Sequence, residues 1–231
     1  MIPEINKQTK QYFQILKDIY AIYDDAIRNE PVACQLYCTT CCTLNVTLTS
    51  LEGGYILTYL KNNNQSDHIQ SLYPASSQNR FQPKQTINHM ASETINHNSF
   101  SEETIPDTNA ECPFLSQSRC TIYPVRPFAC RCMRSIHQCD TIGYAEMSPL
   151  LLSINTLFQQ FIEHMDHTGF FGNMIDVLLY MKEYLNYSQY PYSIKDLPSN
   201  LIRNKPAKSF IISNDHIDDI EPIYNRLQQL L

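Results

Sequence analysis

The sequence predicts a mainly α-helical protein in which helices pack around a loop-rich site that carries many cysteines. Several segments place apolar residues three and four positions apart, which is the period of a helix with one buried face. Only 5 of the 231 residues are glycine, too few for a fold with many tight turns. No regular alternation of strands and helices is visible, so a β/α barrel is not predicted.

The first predicted helix covers residues 4–29 and ends before Pro31, because proline cannot continue a helix. Its apolar positions at helical spacing are Tyr12, Leu16, Ile19, Tyr20, Tyr23 and Ile27. A short alternating segment follows the first cysteines, at Leu44, Val46 and Leu48. Thr49 and Glu52 then have the spacing of a capping box, which predicts a helix to about Leu60. Glycine within that helix is expected to weaken it slightly.

The second half of the chain begins after a segment of different composition. Residues 61–110 are rich in Asn, Gln, Ser, Thr and His, and predict a polar insertion with short helical pieces. Ser148 and Pro149 form a good N-cap and first turn, so a C-terminal helical part is expected from about residue 148. Helices are also predicted over 174–187 and 215–231, and the segment between them looks irregular. We expect one domain over residues 1–231.

Composition and charge narrow the class of protein. The net charge of -6 disfavours general nucleic-acid binding, which depends on neutralising phosphates. The N-terminus lacks a secretory signal, and no segment approaches the roughly 18 apolar residues that a membrane span needs. We therefore expect a cytoplasmic protein that binds neither nucleic acid nor a membrane. In that reducing compartment, dense cysteines indicate metal or redox chemistry rather than disulfides.

Eight of the nine cysteines fall into two tight groups. The first group is Cys34, Cys38, Cys41 and Cys42, and the second is Cys112, Cys120, Cys130 and Cys132. Thiolates held this close together repel one another unless a cation lies among them, so all eight are candidate metal ligands. Arg126 and Arg131 flank Cys130 and are either donors that offset the negative charge or ordinary surface charges. Cys139 is expected to be a structural cysteine. The histidines are expected to be solvated, and His137, near the second group, is the one among them to consider as a metal ligand.

The adjacent pair Cys41 and Cys42 bears on the identity of the metal. Neighbouring side chains point in different directions, so the two residues serve different metal atoms or one of them is not a ligand. A closed zinc site takes four ligands and leaves cysteines over, whereas an iron–sulfur cluster can use neighbouring cysteines on different irons. We therefore favour an iron–sulfur cluster over zinc. Two sites, or one cluster plus one zinc, would also use the surplus.

Three other interpretations of the cysteines have less support. The spacing of Cys34, Cys38 and Cys41 matches the radical S-adenosylmethionine signature, but Thr40 stands where that signature has an aromatic residue, and its barrel is not predicted. Cys38 and Cys41 form a C-x-x-C redox motif without the βαβ unit that accompanies it. A disulfide scaffold would require the missing secretory signal.

Together these motifs resemble the YkgJ-type CxxCxxCC cysteine-cluster family, whose members are described as zinc- or iron-chelating domains. The resemblance covers the first cysteine group, the Cys-Pro-Phe-Leu sequence at Cys112, and the sequence from Cys120 to Arg131. It implies a metal-binding set of Cys34, Cys38, Cys41, Cys42, Cys112, Cys120 and Cys130, with Arg126 and Pro127 in the same motif. Cys132 departs from the family pattern, and the polar insertion is longer than in compact members. The family includes the flagellin lysine N-methylase, which is longer, and no methyl-donor site is matched here.

We therefore expect a metal-binding protein whose cysteine-ligated centre ties two chain segments together. One alternative is a protein-lysine N-methyltransferase-like or redox enzyme that uses the centre, although no acidic pair points to catalytic residues. Another is a zinc-stabilised protein-interaction module, whose partner surface would include the tyrosine-rich first helix and expose an apolar patch there. A protein substrate or partner fits both alternatives.

Overall fold

The computed structural model describes residues 5–35, 37–98, 103–108 and 110–231, and α-helix is its main secondary structure. The helices are α1 (Lys7–Ala26), α2 (Ser50–Asn62), α3 (Leu72–Ser76), α4 (Ile87–Ile95), α5 (Phe128–Arg131), α6 (Cys139–Ile142), α7 (Pro149–Met165), α8 (Met174–Tyr184) and α9 (Ile217–Gln228). The strands are β1 (Thr47–Thr49), β2 (Leu115–Ser116), β3 (Arg119–Cys120), β4 (Phe170–Asn173) and β5 (Leu201–Arg203). The predicted mainly α-helical fold is confirmed.

Helix α1 begins where the Asn6 side chain accepts a hydrogen bond from the Thr9 N–H at 2.7 Å. It is shorter than the predicted helix, whose first position, residue 4, lies outside the described residues. Tyr20 and Tyr23 are buried, and their hydroxyls donate to side chains of α2 and α7. These tyrosines therefore pack inward, and they do not form the exposed apolar patch that an interaction surface on this helix would need.

Helix α2 has the capping box that its sequence predicts. The Glu52 Oε2 accepts from the Thr49 N–H at 2.9 Å, and the Thr49 hydroxyl accepts from the Glu52 N–H at 3.4 Å. The helix packs closely against α8, since a Cβ added at Gly53 would lie 2.8 Å from the Met181 sulfur. The glycine that weakens α2 as an isolated helix therefore allows its contact with α8.

A three-stranded antiparallel sheet in the order β1-β4-β5 joins distant parts of the chain. Of its strands, only β1 lies near the alternating segment recognised in the sequence. Strands of three or four residues are too short for their alternation to be distinguished from that of a loop. Gly172 pairs with both Leu48 and Leu201, and a Cβ there would come 2.5 Å from the Leu201 side chain. The close approach of the strands requires glycine at this position.

Residues 61–110 contain α3, α4 and a 3-10 turn at Ser66–Ser71, and the two helices pack against α8 and α7 respectively. Polar side chains make important contacts here. The Asn88 N–H donates to the Glu163 carboxylate at 2.8 Å, and Arg80 forms an ion pair with Asp176 in which both side chains are less than a tenth exposed. A segment poor in large apolar residues is thus held against the helical core by buried polar pairs together with its few buried apolar side chains.

Asp166 connects the end of α7 to two other segments. Its carboxylate accepts from the Ser50 hydroxyl at 2.7 Å, the Leu51 N–H at 3.0 Å and the Asn204 side-chain amide at 2.9 Å. The side chain is fully buried, and burial raises the pKa of Asp166 to about 7 despite these donors.

Among the described helices, none combines the length and apolar character needed to cross a bilayer.

Candidate metal centre

The two cysteine groups meet through the backbone. The Cys112 N–H donates to the Cys42 carbonyl at 2.9 Å, and Thr43 and Glu111 form an antiparallel bridge beside this bond. The end of the first group therefore lies next to the start of the second, although the polar insertion separates them in sequence.

A short hairpin positions Cys120 beside Cys112. Strands β2 and β3 pair Leu115 with Cys120, and both turn residues, Gln117 and Ser118, have positive φ angles of 49° and 57°. Two consecutive residues of positive φ match the twist of a tight two-residue hairpin. The Thr121 N–H donates to the carbonyl of the fully buried Phe114 at 2.8 Å, which joins the hairpin to the core.

Helix α5 carries Cys130, and Glu52 holds the start of this helix. The Glu52 Oε1 accepts from the Phe128 N–H at 2.7 Å and from the Tyr20 hydroxyl at 2.8 Å. The Phe128 ring packs edge-on against Tyr23, with the ring centres 4.8 Å apart. One buried carboxylate thus fixes α5, and with it Cys130, relative to α1 and α2.

Six cysteines lie close enough to interact electrostatically, and one of them is Cys132, which departs from the family pattern. We call the five that belong to the family pattern the inner group: Cys41, Cys42, Cys112, Cys120 and Cys130. Cys42 interacts with three members from the second half of the motif, and its thiol is hydrogen-bonded to that of Cys41. Cys41 lies at the exposed rim, and the other four are partly buried.

Burial of the inner group raises the pKa of several of its thiols. It raises the pKa of Cys112 to about 11, and it raises the pKa values of Cys120 and Cys130 as well. The hydrogen bond between Cys41 and Cys42 raises the pKa of Cys41 and lowers that of Cys42. Metal binding at these sulfurs would therefore release protons, as expected for thiol ligands that must be deprotonated.

The donor chemistry of the inner group fits zinc or iron. Sulfur ligands select these metals over Mg²⁺ and Ca²⁺, which prefer oxygen. Within the described ranges, no three Cys, His, Asp or Glu side chains already have the arrangement that holds an ion. The inner thiols would therefore have to move together to bind one, and the hairpin and α5 determine which thiols are near enough to do so.

Cys34 and Cys38 belong to the first cysteine group but not to the inner group. Their side chains are exposed and line a cavity of about 340 Å³, together with His137 and Cys139. Cys139 was expected to be a structural cysteine, but it is partly exposed in the wall of this cavity. We call Cys34, Cys38, His137 and Cys139 the outer group. Only the folded chain brings His137 and Cys139, which follow the family motif in sequence, to the same cavity as Cys34 and Cys38.

Cys132 caps the C-terminal end of α5 and is buried. It is 6% exposed, its thiol donates to the Ala129 carbonyl at 3.5 Å, and the Gln159 amide of α7 lies 4.0 Å from its sulfur. Burial raises the pKa of Cys132 to about 12. The sequence-based ligand role of Cys132, like the ligand roles of the other seven candidates, stays a prediction.

The arginines of the motif support the loop around Cys130. The Arg131 guanidinium lies 4.1 Å from the centre of the Tyr20 ring, and it donates to the carbonyls of Pro124 and Arg126 at 3.0 and 3.2 Å. The Arg126 guanidinium lies 3.8 Å from the centre of the Tyr123 ring, and its charge partly counteracts the rise in the pKa of Cys120. Arg131 therefore holds the backbone of the site, whereas Arg126 acts on a sulfur electrostatically.

Two residues that position the site were not identified from the sequence. Arg119 donates to the Tyr37 hydroxyl at 2.6 Å and lies over its ring, so it joins the β2–β3 hairpin to the first cysteine segment. Glu52 was recognised only as a helix cap. Neither long-range contact has a local signal, because the partners lie more than seventy residues away in the chain.

Comparison with family models identifies the domain. The CxxCxxCC model, described as "Putative zinc- or iron-chelating domain", matches residues 33–148, just over half of the chain. The chain belongs to the CxxCxxCC family. The matched range contains both the inner and outer groups, and membership indicates chelation of zinc or iron as the function of this region. No curated protein and no solved structure matches the chain, so the link to flagellin lysine N-methylase stays a prediction.

Proposed function

We propose that the inner group holds an iron–sulfur cluster, and that this cluster ties the 41–42 segment to the 112–130 segment. The observation that carries the proposal is the proximity of Cys41 and Cys42 to three further thiols. A single zinc ion takes four ligands and would leave at least one of these five sulfurs over. A cluster with several irons can bind adjacent cysteines on different metal atoms.

The surrounding residues support a centre whose ligands are held in place. The Cys42–Cys112 backbone bond, the β2–β3 hairpin and the Glu52 contact to α5 each position one or two of the sulfurs. Such a cluster supplies a structural cross-link, electron transfer or both. Backbone N–H groups and the Arg126 charge near the sulfurs stabilise the thiolate form, as expected around cysteine ligands.

Purification without oxygen tests the proposal directly. Wild-type protein is expected to contain iron and inorganic sulfide, with visible absorbance that dithionite bleaches. Cys130→Ser is expected to lose most of the iron and sulfide, whereas the matched variant Cys139→Ser, outside the inner group, keeps both. Reconstitution of metal-free wild type with iron and sulfide gives the same test without a substitution. Zinc in the inner group with no sulfide, before and after reconstitution, would overturn the proposal.

A further inference from the structure

The outer group brings four potential metal donors around one cavity, and the family signature accounts for only two of them. Cys34 and Cys38 come from the first cysteine segment, while His137 and Cys139 come from the segment before and within α6. We propose that the outer group is a second metal site, separate from the inner group, and that it binds one Zn²⁺. Three thiolates and one imidazole make a Cys₃His set, which is a common ligand set of tetrahedral structural zinc.

The orientation of His137 supports this assignment. Its Nδ1 lies 2.6 Å from the Glu146 carboxylate. A carboxylate accepts hydrogen bonds, so Nδ1 carries the proton of this contact, and in the neutral imidazole Nε2 has the free electron pair that a metal ion would bind. Histidines that bind zinc have this carboxylate partner on the other ring nitrogen as a regular feature, because it fixes the ring and its tautomer.

Backbone contacts hold the two segments of the outer group together. The Ala33 N–H donates to the Ser135 carbonyl at 2.7 Å, immediately before Cys34. The hydroxyl of Ser135, which is buried, accepts from the backbone N–H groups of His137 and Glu146 at 3.3 and 3.0 Å. These hydrogen bonds therefore attach the loop that carries His137 and Glu146 to the segment immediately before Cys34.

The exposure of the thiols favours metal binding over packing. Cysteine that serves a structural role is among the most buried residue types, but Cys34 and Cys38 are exposed and Cys139 is only partly buried. The four donors surround the cavity without already meeting at one point. Binding would draw them inward, and the loops at 34–38 and 137–139 are the parts of the site that would move.

Zinc content is the measurement that tests the outer site. Wild-type protein is expected to hold one zinc per chain in addition to the metal of the inner group. The double variant His137→Ala/Cys139→Ser is expected to lose that zinc while its iron and sulfide stay at the wild-type level. Gln138→Ala is the matched control, because Gln138 lines the same cavity but is not one of the four proposed ligands; this variant is expected to keep the zinc.

A competition titration separates a zinc ligand from a residue that acts only in folding. Glu146→Gln keeps all four ligands but weakens the hold on His137, so zinc affinity is expected to fall by roughly 10–100-fold while circular dichroism stays unchanged. The proposal is overturned if the double variant keeps the wild-type zinc content, or if wild type neither contains nor takes up zinc beyond the inner group. Zinc in both groups, with no sulfide, would instead overturn the cluster proposal and leave the outer site standing.

Discussion

Asp166 illustrates, at the scale of one residue, how burial opposes the hydrogen bonds that a carboxylate receives. Three donors surround its Oδ2, yet the removal of water from a fully buried carboxyl outweighs them and raises its pKa to about 7. A Cβ at Gly169 would collide with this carboxylate and with Ser50, so the local backbone is shaped around the carboxyl. Asp166 therefore joins three segments, and its burial among them raises its pKa.

This shift predicts a pH dependence of stability. Between the ordinary pKa of 3.8 and the folded value of about 7, the folded chain holds a proton that the unfolded chain has released. The contribution of Asp166 to the free energy of unfolding therefore falls as pH rises through this window, by on the order of a few kcal/mol. Urea denaturation of wild type and Asp166→Asn across the window measures it.

The difference between the two proteins isolates Asp166 from the other titrating groups. The stability of wild type relative to Asp166→Asn is expected to decline steadily with rising pH. A difference that stays constant, or that grows with pH, would contradict a raised pKa for this carboxyl.

Helix α5 illustrates the scale of an element, because four residues are too few for a helix to be stable on its own. Its position depends on contacts with other elements, namely the Glu52 carboxylate at its first N–H and the Phe128 ring against Tyr23 and Phe158. Since α5 carries Cys130, the geometry of the inner group depends on a carboxylate of α2.

Glu52→Gln is therefore expected to act both on stability and on the metal centre. A neutral amide forms weaker hydrogen bonds and cannot accept at both of its polar atoms, so the free energy of unfolding should fall by about 2–3 kcal/mol. Iron retention during gel filtration should fall as well, because α5 is less firmly held. Glu183→Gln, an exposed change on α8, is the control and should alter neither quantity. If Glu52→Gln lowers stability but retains iron like wild type, the contact between Glu52 and α5 does not contribute to metal binding.

At the scale of the whole molecule, the cysteine region and the helical core are stabilised differently. Helices α1, α2, α7 and α8 contribute many of the buried apolar residues of the core, including Leu16, Leu57, Phe158 and Leu178. The cysteine region consists mostly of loops, a hairpin of two-residue strands and one-turn helices. The second cysteine segment is anchored in the core by a few buried apolar side chains, but the loops that carry the sulfurs lie outside it, so a metal is expected to add most of its stabilisation in those loops.

Removal of the metal is expected to lower the melting temperature while most helical circular dichroism persists at room temperature. A ligand present at 100 to 1,000 times its Kd stabilises the folded state by about 3–4 kcal/mol, and chelation removes that contribution. Calorimetry before and after a chelator gives the change. Cys120→Ser should melt near the chelated wild type and respond little to the chelator. Equal melting of the metal-bound and metal-free forms would show that the centre does not join the two segments energetically.

The sequence alone determined the features that arise from neighbouring residues. The capping box of Thr49 and Glu52, the Ser148–Pro149 start of α7 and the apolar face of α1 all depend on interactions within one or two helical turns. The grouping of the cysteines and the family motif are likewise visible in the linear chain.

Only the tertiary structure decided which thiols are neighbours. Cys42 lies beside Cys112 because backbone bonds join segments that the polar insertion separates, and Cys34 and Cys38 face His137 and Cys139 through the Ala33–Ser135 bond. The β1-β4-β5 sheet and the polar contacts of residues 61–110 are equally non-local. Such contacts depend on the arrangement of the whole core, and no periodicity in a short stretch of sequence encodes them.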